Sequence, residues 1–341
     1  MCLSEEQLQV LRTCALLHDI GKLECWANRK PWSEHIHWTY KFVKDCLDED
    51  FAQICMRHHR GFSYSNEYHP KSEFEKIICL ADNFSAGADR REQPEHGSPF
   101  PKLPVVLTHV LSDGNIVRSS FDAARLAYVS NVLRTRIKEA GSEFAEHPKD
   151  AYRRIFVILE NSELRRIPAD TRKPVNDVSL WNHLKLSAAF ATCIFVGGGY
   201  NGDNYEKYDF ALLSGDADWI SRYVNLSRRL PDLNARSERI KKATKDVVEL
   251  LADLLGPECI IYAGGGSFLA LSPLKMAENV IEKAKCKFEE STGGEVTMTV
   301  NHVVVGGKEI LENFGACWER AQHGMRVKKN EREIPPIRPV E

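Results

Sequence analysis

The feature that most constrains this chain is a polar pair set into an apolar helix. Leu8, Leu11 and Ala15 share one helical face, and the run closes on Leu16-Leu17-His18-Asp19-Ile20-Gly21-Lys22. An imidazole beside a carboxylate is costly to bury there unless it is paired or bound to a metal. Candidates follow in order: His35 and His37, then His58-His59, then Asp82 at the end of Ile77-Ile78-Cys79-Leu80-Ala81. Imidazole nitrogens with carboxylates suit a divalent transition metal, and one carboxylate can bridge two cations. Such a centre polarises a phosphoryl oxygen and lowers the pKa of bound water.

His37 is taken as the better of the first pair, with His35 as the alternative. His58-His59 reads as a helix end, where histidine suits the dipole. Adjacent helical side chains diverge by about 100°, so one of the two is expected to face a metal. The ordered set resembles HD-type metal phosphohydrolases. Those domains usually carry one more histidine ahead of the His-Asp pair, and residues 1–17 contain none. His96 and His109 are the substitutes considered.

At 341 residues the chain is expected to form two domains. A net charge of −2 gives no global electrostatic case for nucleic acid. Ten cysteines without a C-x-x-C pair read as reduced thiols, mostly small core residues, of a cytoplasmic protein. No long apolar span argues for a membrane. The pattern breaks at Arg90-Arg91-Glu92-Gln93-Pro94 and again over 168–174. We divide the chain into a helical domain (1–100), a helical linker region (101–174), a second domain (175–327) and a tail (328–341).

The second domain changes rhythm. Tyr208 to Leu213 reads as a strand and Trp219 to Leu226 begins a helix, with more helix over Ser237 to Leu255. Cys259 to Ala263 and Ser267 to Leu271 form a hairpin around Gly264-Gly265-Gly266. Pro273 to Glu290 is helical and Glu295 to Val305 alternates as a strand. The order β-α-β-β-α-β is ferredoxin-like, the topology of polymerase and cyclase palms. The fold class is thus α+β: an all-helical domain followed by a palm-like domain. A catalytic palm clamps two cations on carboxylates. Asp216 and Asp218 follow the first strand, but the hairpin Gly264-Gly265-Gly266-Ser267 has none. That turn reads first as a use of glycine's permissive backbone, and second as a set of exposed N–H groups for a nucleotide phosphate.

The combination resembles the large subunit of type III CRISPR–Cas effector complexes, the Cas-ten family. Ala81-Asp82-Asn83-Phe84-Ser85-Ala86-Gly87 is close to the family's A-D-x-x-S-A-G. Asp177-Val178-Ser179-Leu180-Trp181-Asn182-His183-Leu184-Lys185-Leu186-Ser187-Ala188-Ala189 looks like its V-S-L-x-D-H-x-K-x-T-A-A. Tyr262-Ala263-Gly264-Gly265-Gly266 resembles the hairpin of the first of its two palms, which is normally non-catalytic. The family's HD domain is typically permuted, in keeping with the absent upstream histidine. After Gly215-Asp216 the chain departs from the family's I-S-G-I-Q-x-F-I, reading Ala217-Asp218-Trp219-Ile220-Ser221. It also reaches Glu341 without the G-G-D-D hairpin of the second palm, so it looks like the front half of the subunit.

The resemblance implies an HD site that cleaves single-stranded DNA with manganese or nickel. It implies His18, Asp19, His59 and Asp82 as ligands, His37 and His58 in reserve, and Lys22 steadying the phosphate. Arg60, Lys71, Arg90 and Arg91 are candidates for the DNA backbone. It implies crRNA, target RNA, other effector subunits and a chain bearing the second palm as partners, with ATP held at Gly264–Ser267 between the palms and no cyclic oligoadenylate made by this chain alone. One face of the palm sheet is expected to need that partner as cover. The alternatives are a phosphohydrolase of small nucleotides and a catalytically dead scaffold.

Overall fold

The computed structural model describes residues 5–61, 64–89, 121–170, 178–226 and 228–331. These residues form two compact units, Met1–Ala191 and Thr192–Glu341. The first is helical: α1 (Glu5–Leu17), α2 (Lys22–Ala27), α3 (His35–Cys46), α4 (Glu49–Met56), α5 (Glu73–Ala88), α6 (Ala123–Gly141), α7 (Pro148–Glu160) and most of α8 (Leu180–Gly197).

Local signals explain where these helices begin. Asp48 caps α4 by accepting from the Phe51 N–H at 3.0 Å, and Asp122 caps α6 through Arg125 N–H at 2.7 Å. Ser72 and Glu75 form a capping box on α5. Pro148 opens α7, where its missing N–H is harmless. α8 is apolar nearly all round, and Leu180, Leu184, Ala188 and Phe190 are fully buried, as expected of a helix inside a core. A single bridge between Pro168 and Ser179 sets where it starts.

The sequence-based boundaries at 100 and 175 do not match this division, which falls inside α8. The 121–160 helices, read from sequence as a linker region, pack on α1, α2 and α3. They do so because Leu126, Leu133, Ile137, Ala151, Ile155 and Leu159 form apolar faces that are buried there.

The second unit is α+β: β1 (Asp209–Ala217), α9 (Ile220–Val224), α10 (Leu230–Leu254), β2 (Ile260–Gly264), β3 (Ser267–Pro273), α11 (Ala277–Thr292), β4 (Met298–Gly306) and α12 (Gly307–Asn330). The strand order is β2-β3-β1-β4, with every pair antiparallel. That is the order the β-α-β-β-α-β reading requires. Gly265 and Gly266 turn the hairpin at φ +62° and +91°, a region that disfavours side chains.

Register shows how the sheet is covered. Ser214 pairs with Asn301, so His302 points to the opposite face. Ser214 Oγ donates to the Ala321 carbonyl of α12 at 3.3 Å, whereas His302 lies 3.5 Å from Glu278 of α11. α10 and α11 therefore lie on one face and α12 on the other. This corrects the expectation that the second face must wait for a partner. The cover was missed because α12 has mixed polarity over 307–330 and ends in the charged stretch read as a tail.

Candidate metal centre

Five segments of the first unit converge on one point. His18 and Asp19 sit in the turn after α1. Gly21 lets that turn approach α3 closely: a Cβ there would lie 2.1 Å from the Thr39 backbone nitrogen and 2.5 Å from the His35 carbonyl oxygen. The Gly21 N–H donates to Thr39 Oγ1 at 3.1 Å. His35 opens α3. His58 and His59 follow α4, in a segment tied to α5 by the Arg57–Glu75 ion pair at 3.3 Å. Asp82 lies within α5, and His183 lies in the first turn of α8.

Asp19 is the shared member. One carboxylate oxygen lies 3.1 Å from His35 Nε2 and 3.5 Å from His58 Nε2. The other lies 3.6 Å from His18 Nε2 and 3.3 Å from His183 Nε2. Asp82 faces His183 Nε2 at 3.1 Å, His18 Nε2 at 3.5 Å and His59 Nδ1 at 3.7 Å. Two four-residue groups result: Asp19, His35, His58 and His59, and His18, Asp19, Asp82 and His183. Within each, one donor atom per residue lies within 4.8 Å of the others.

The imidazoles are preset as donors to a cation. His18, His35 and His58 each bond through Nδ1 to a backbone carbonyl three residues back, at 2.8, 2.6 and 2.6 Å. A carbonyl only accepts, so the proton sits on Nδ1 and each Nε2 lone pair points inward. Ser85 achieves the same for His183. Its hydroxyl donates to the His183 carbonyl, leaving its oxygen to accept from Nδ1, both at 3.1 Å. The inward atoms lack conventional partners. His18 Nε2 and Asp19 Oδ1 are buried with no hydrogen bond, and His35 Nε2 lies 3.1 Å from His59 Nε2. Converging lone pairs and orphaned buried atoms fit a bound divalent cation, and the nitrogen and carboxylate set fits a transition metal.

Burial and neighbouring charges oppose each other across the cluster. Burial would raise the Asp19 carboxyl, but Lys22 and His18 hold it well below the usual carboxylate range. Burial opposes His18 and His183 at Asp82 in the same way, and they prevail. Burial would lower His183, yet Asp19 and Asp82 keep it well above the usual imidazole value. Burial, followed by His58 and His35, pushes His59 well below it. Burial also lowers His35.

The structure brings together His18, Asp19, His58, His59 and Asp82 of the sequence set with His35, the alternative of the first pair, and it adds His183. His35 takes the position assigned to His37. Residues two apart on a helix diverge by about 200°, and the His37 ring lies instead against Tyr68, centroids 4.9 Å apart. His58 and His59 both join the cluster because α4 ends at Met56 and the chain beyond it is no longer helical, so the helical-divergence argument does not apply. His183 fills the place sought for a further histidine. Its signal lay in the Asn182-His183-Leu184-Lys185 motif, which marked the resemblance but not a ligand. His96 and His109 lie outside the described residues, as do Arg90 and Arg91. Arg60 and Lys71 are exposed. Lys22 is buried, with its ammonium 2.5 Å from Asp19 and 3.1 Å from the Ala169 carbonyl. That position orients the shared carboxylate rather than presenting a charge at the surface.

The hairpin candidates lie in the second unit. Gly264, Gly265 and Gly266 make the turn, and Ser267 Oγ donates to Asp216. Lys329 of α12 also binds Asp216, and donates to the Ala217 carbonyl at 2.9 Å. Asp218 accepts from Thr297 and Thr299, both at 2.7 Å.

A helical unit built round a His-Asp pair, joined in one chain to a palm-type sheet, is the arrangement of an HD-type domain followed by a palm-like α+β domain. Residues 2–87 match the HD domain family. The chain is 24% identical over 375 residues to the CRISPR system single-strand-specific deoxyribonuclease Cas10/Csm1 (subtype III-A) of Enterococcus italicus, covering 92% of this chain and 49% of that protein. It is 25% identical over 321 residues to the protein of the same name from Streptococcus thermophilus, covering 80% and 41%. A Csm1–Csm4 cassette in complex with AMPPNP shares the fold, with a TM-score of 0.72 at 20% identity over 95% of this chain and 49% of that one. The chain is thus a relative of the type III CRISPR large subunits, and spans about half the length of the curated relatives it matches.

Proposed function

We propose that this chain is the HD-and-palm portion of a type III effector large subunit whose HD centre hydrolyses phosphodiesters of single-stranded DNA. The observation that carries the reading is Asp19, shared between two groups of inward-facing imidazoles and carboxylates. Among relatives it is supported by two that are named single-strand-specific deoxyribonucleases.

His18, Asp19, Asp82 and His183 would hold one divalent cation, and Asp19, His35, His58 and His59 a second, with manganese or nickel as the proposed metals. When bound, such cations supply Lewis acidity toward a phosphoryl oxygen and make water acidic enough to attack. The chain's own residues do the arranging. Carbonyls and Ser85 fix the imidazole tautomers, Lys22 orients Asp19, and burial excludes bulk water from all but the His59 and Asp82 side.

We place ATP, if the palm holds it, at Gly264 to Ser267 with a second palm supplied elsewhere. Other effector subunits, crRNA and target RNA are the proposed partners; the Csm1 of the AMPPNP structure is seen with Csm4. No described helix is long and apolar enough to cross a membrane, and we propose a cytoplasmic setting. The test is cleavage of linear single-stranded DNA by the chain loaded with manganese. Metal-dependent cleavage is expected. Hydrolysis of free nucleotides with intact DNA would favour a small-nucleotide enzyme instead, and no metal uptake would favour a scaffold.

A further inference from the structure

The opening of the metal centre is aromatic. His18, His35 and His58 have no exposed side-chain surface, whereas His59 is 16% exposed, the most of any ligand candidate. A substrate therefore reaches the centre past His59. Tyr64 stacks on the His59 ring, with centroids 5.0 Å apart and planes 19° from parallel. Trp32 lies 5.2 Å from His59, 4.9 Å from His35 and 6.0 Å from Tyr64. Both aromatic residues are half-buried, so neither is sealed in the core, although the Tyr64 hydroxyl is buried.

We infer that Trp32 and Tyr64 form a stacking rim that receives a nucleobase beside the phosphate held at the metals. This rests on the nuclease reading and adds a specificity element to it. Every base has an apolar face, so stacking holds a strand without reading its sequence. A base within a duplex has both faces covered by its neighbours, so only an unpaired strand can use the rim. The single-strand preference then arises from two aromatic rings rather than from basic residues.

The test measures binding to the full, manganese-loaded chain by fluorescence anisotropy. The probes are a labelled ten-nucleotide phosphorothioate thymidine strand, which resists hydrolysis, and the same strand with abasic sites. The parent is expected to hold the base-bearing strand about tenfold more tightly, in line with alanine-scanning values for base–aromatic stacking. Trp32→Leu with Tyr64→Leu should erase that preference at unchanged metal content, and Trp32→Phe should keep it. Equal binding of both strands by the parent overturns the inference, as does a preference that survives the double variant. Loss of preference together with loss of metal also overturns it, since the rings would then merely brace His35 and His59. Base-dependent binding by a parent that fails to cut ordinary DNA leaves the rim standing and removes the nuclease reading.

Discussion

Each unit of this protein contains a close pair of aspartates, and the two pairs differ in how fully they are satisfied. Asp19 and Asp82 face imidazole lone pairs, with buried atoms that have no hydrogen bond. Asp216 and Asp218 are already satisfied: Ser267 and Lys329 hold the first, and Thr297 and Thr299 hold the second. In the palm Lys329 and three hydroxyls hold the pair between them, whereas Lys22 leaves one Asp19 oxygen without a hydrogen bond. Acidic residues in a pocket therefore do not by themselves mark a metal site. What marks one is a donor set that the protein leaves unsatisfied.

The largest effect should follow from breaking the unsatisfied set. Changing His18 and Asp19 together to alanine is expected to remove bound manganese and reduce single-strand cleavage by more than about a hundredfold. Even outer partners of metal ligands are worth roughly 10- to 100-fold. Mass-spectrometric metal analysis and a gel assay check this; retained cleavage would place the activity elsewhere. His183→Ala comes next. It should remove one of the two proposed metals per chain while His37→Ala leaves both, and equal stoichiometry in the two variants would refute the place given to His183.

Smaller effects sharpen the contrast. Ser85→Ala frees the His183 tautomer and should weaken metal affinity by roughly tenfold, read by competition with a chelator. Gly21→Ala forces a methyl into the Thr39 and His35 backbone. It should destabilise the protein by about 1–3 kcal/mol, the usual range for overpacking, measured by denaturant unfolding. The gentlest test opens the palm pair. In Lys329→Met, manganese should slow amide exchange in β1 and the β2–β3 hairpin, an effect expected of the parent only around α1, α3 and α5. No manganese response in that variant would mean that Lys329 is not what separates the two pairs.

Much of this was legible in the chain itself. His18 and Asp19 stood out because an apolar helix cannot end on them without partners. The palm was legible because period-two alternation and a glycine hairpin are local signals, and the observed strand order follows from them. α12 was not, because its role as cover depends on which face of a sheet it meets.

The sequence by itself determined the donor types, the helical character of the first unit and the β-α-β-β-α-β order, since each follows from side-chain chemistry or short-range periodicity. Tertiary structure alone decided that His35 and not His37 faces Asp19, that His58 and His59 both turn inward, and that His183 completes the second group. Those choices depend on helix phase, on where α4 stops, and on the docking of α8 against α5. They are set by packing between segments remote in the chain, which no local pattern encodes.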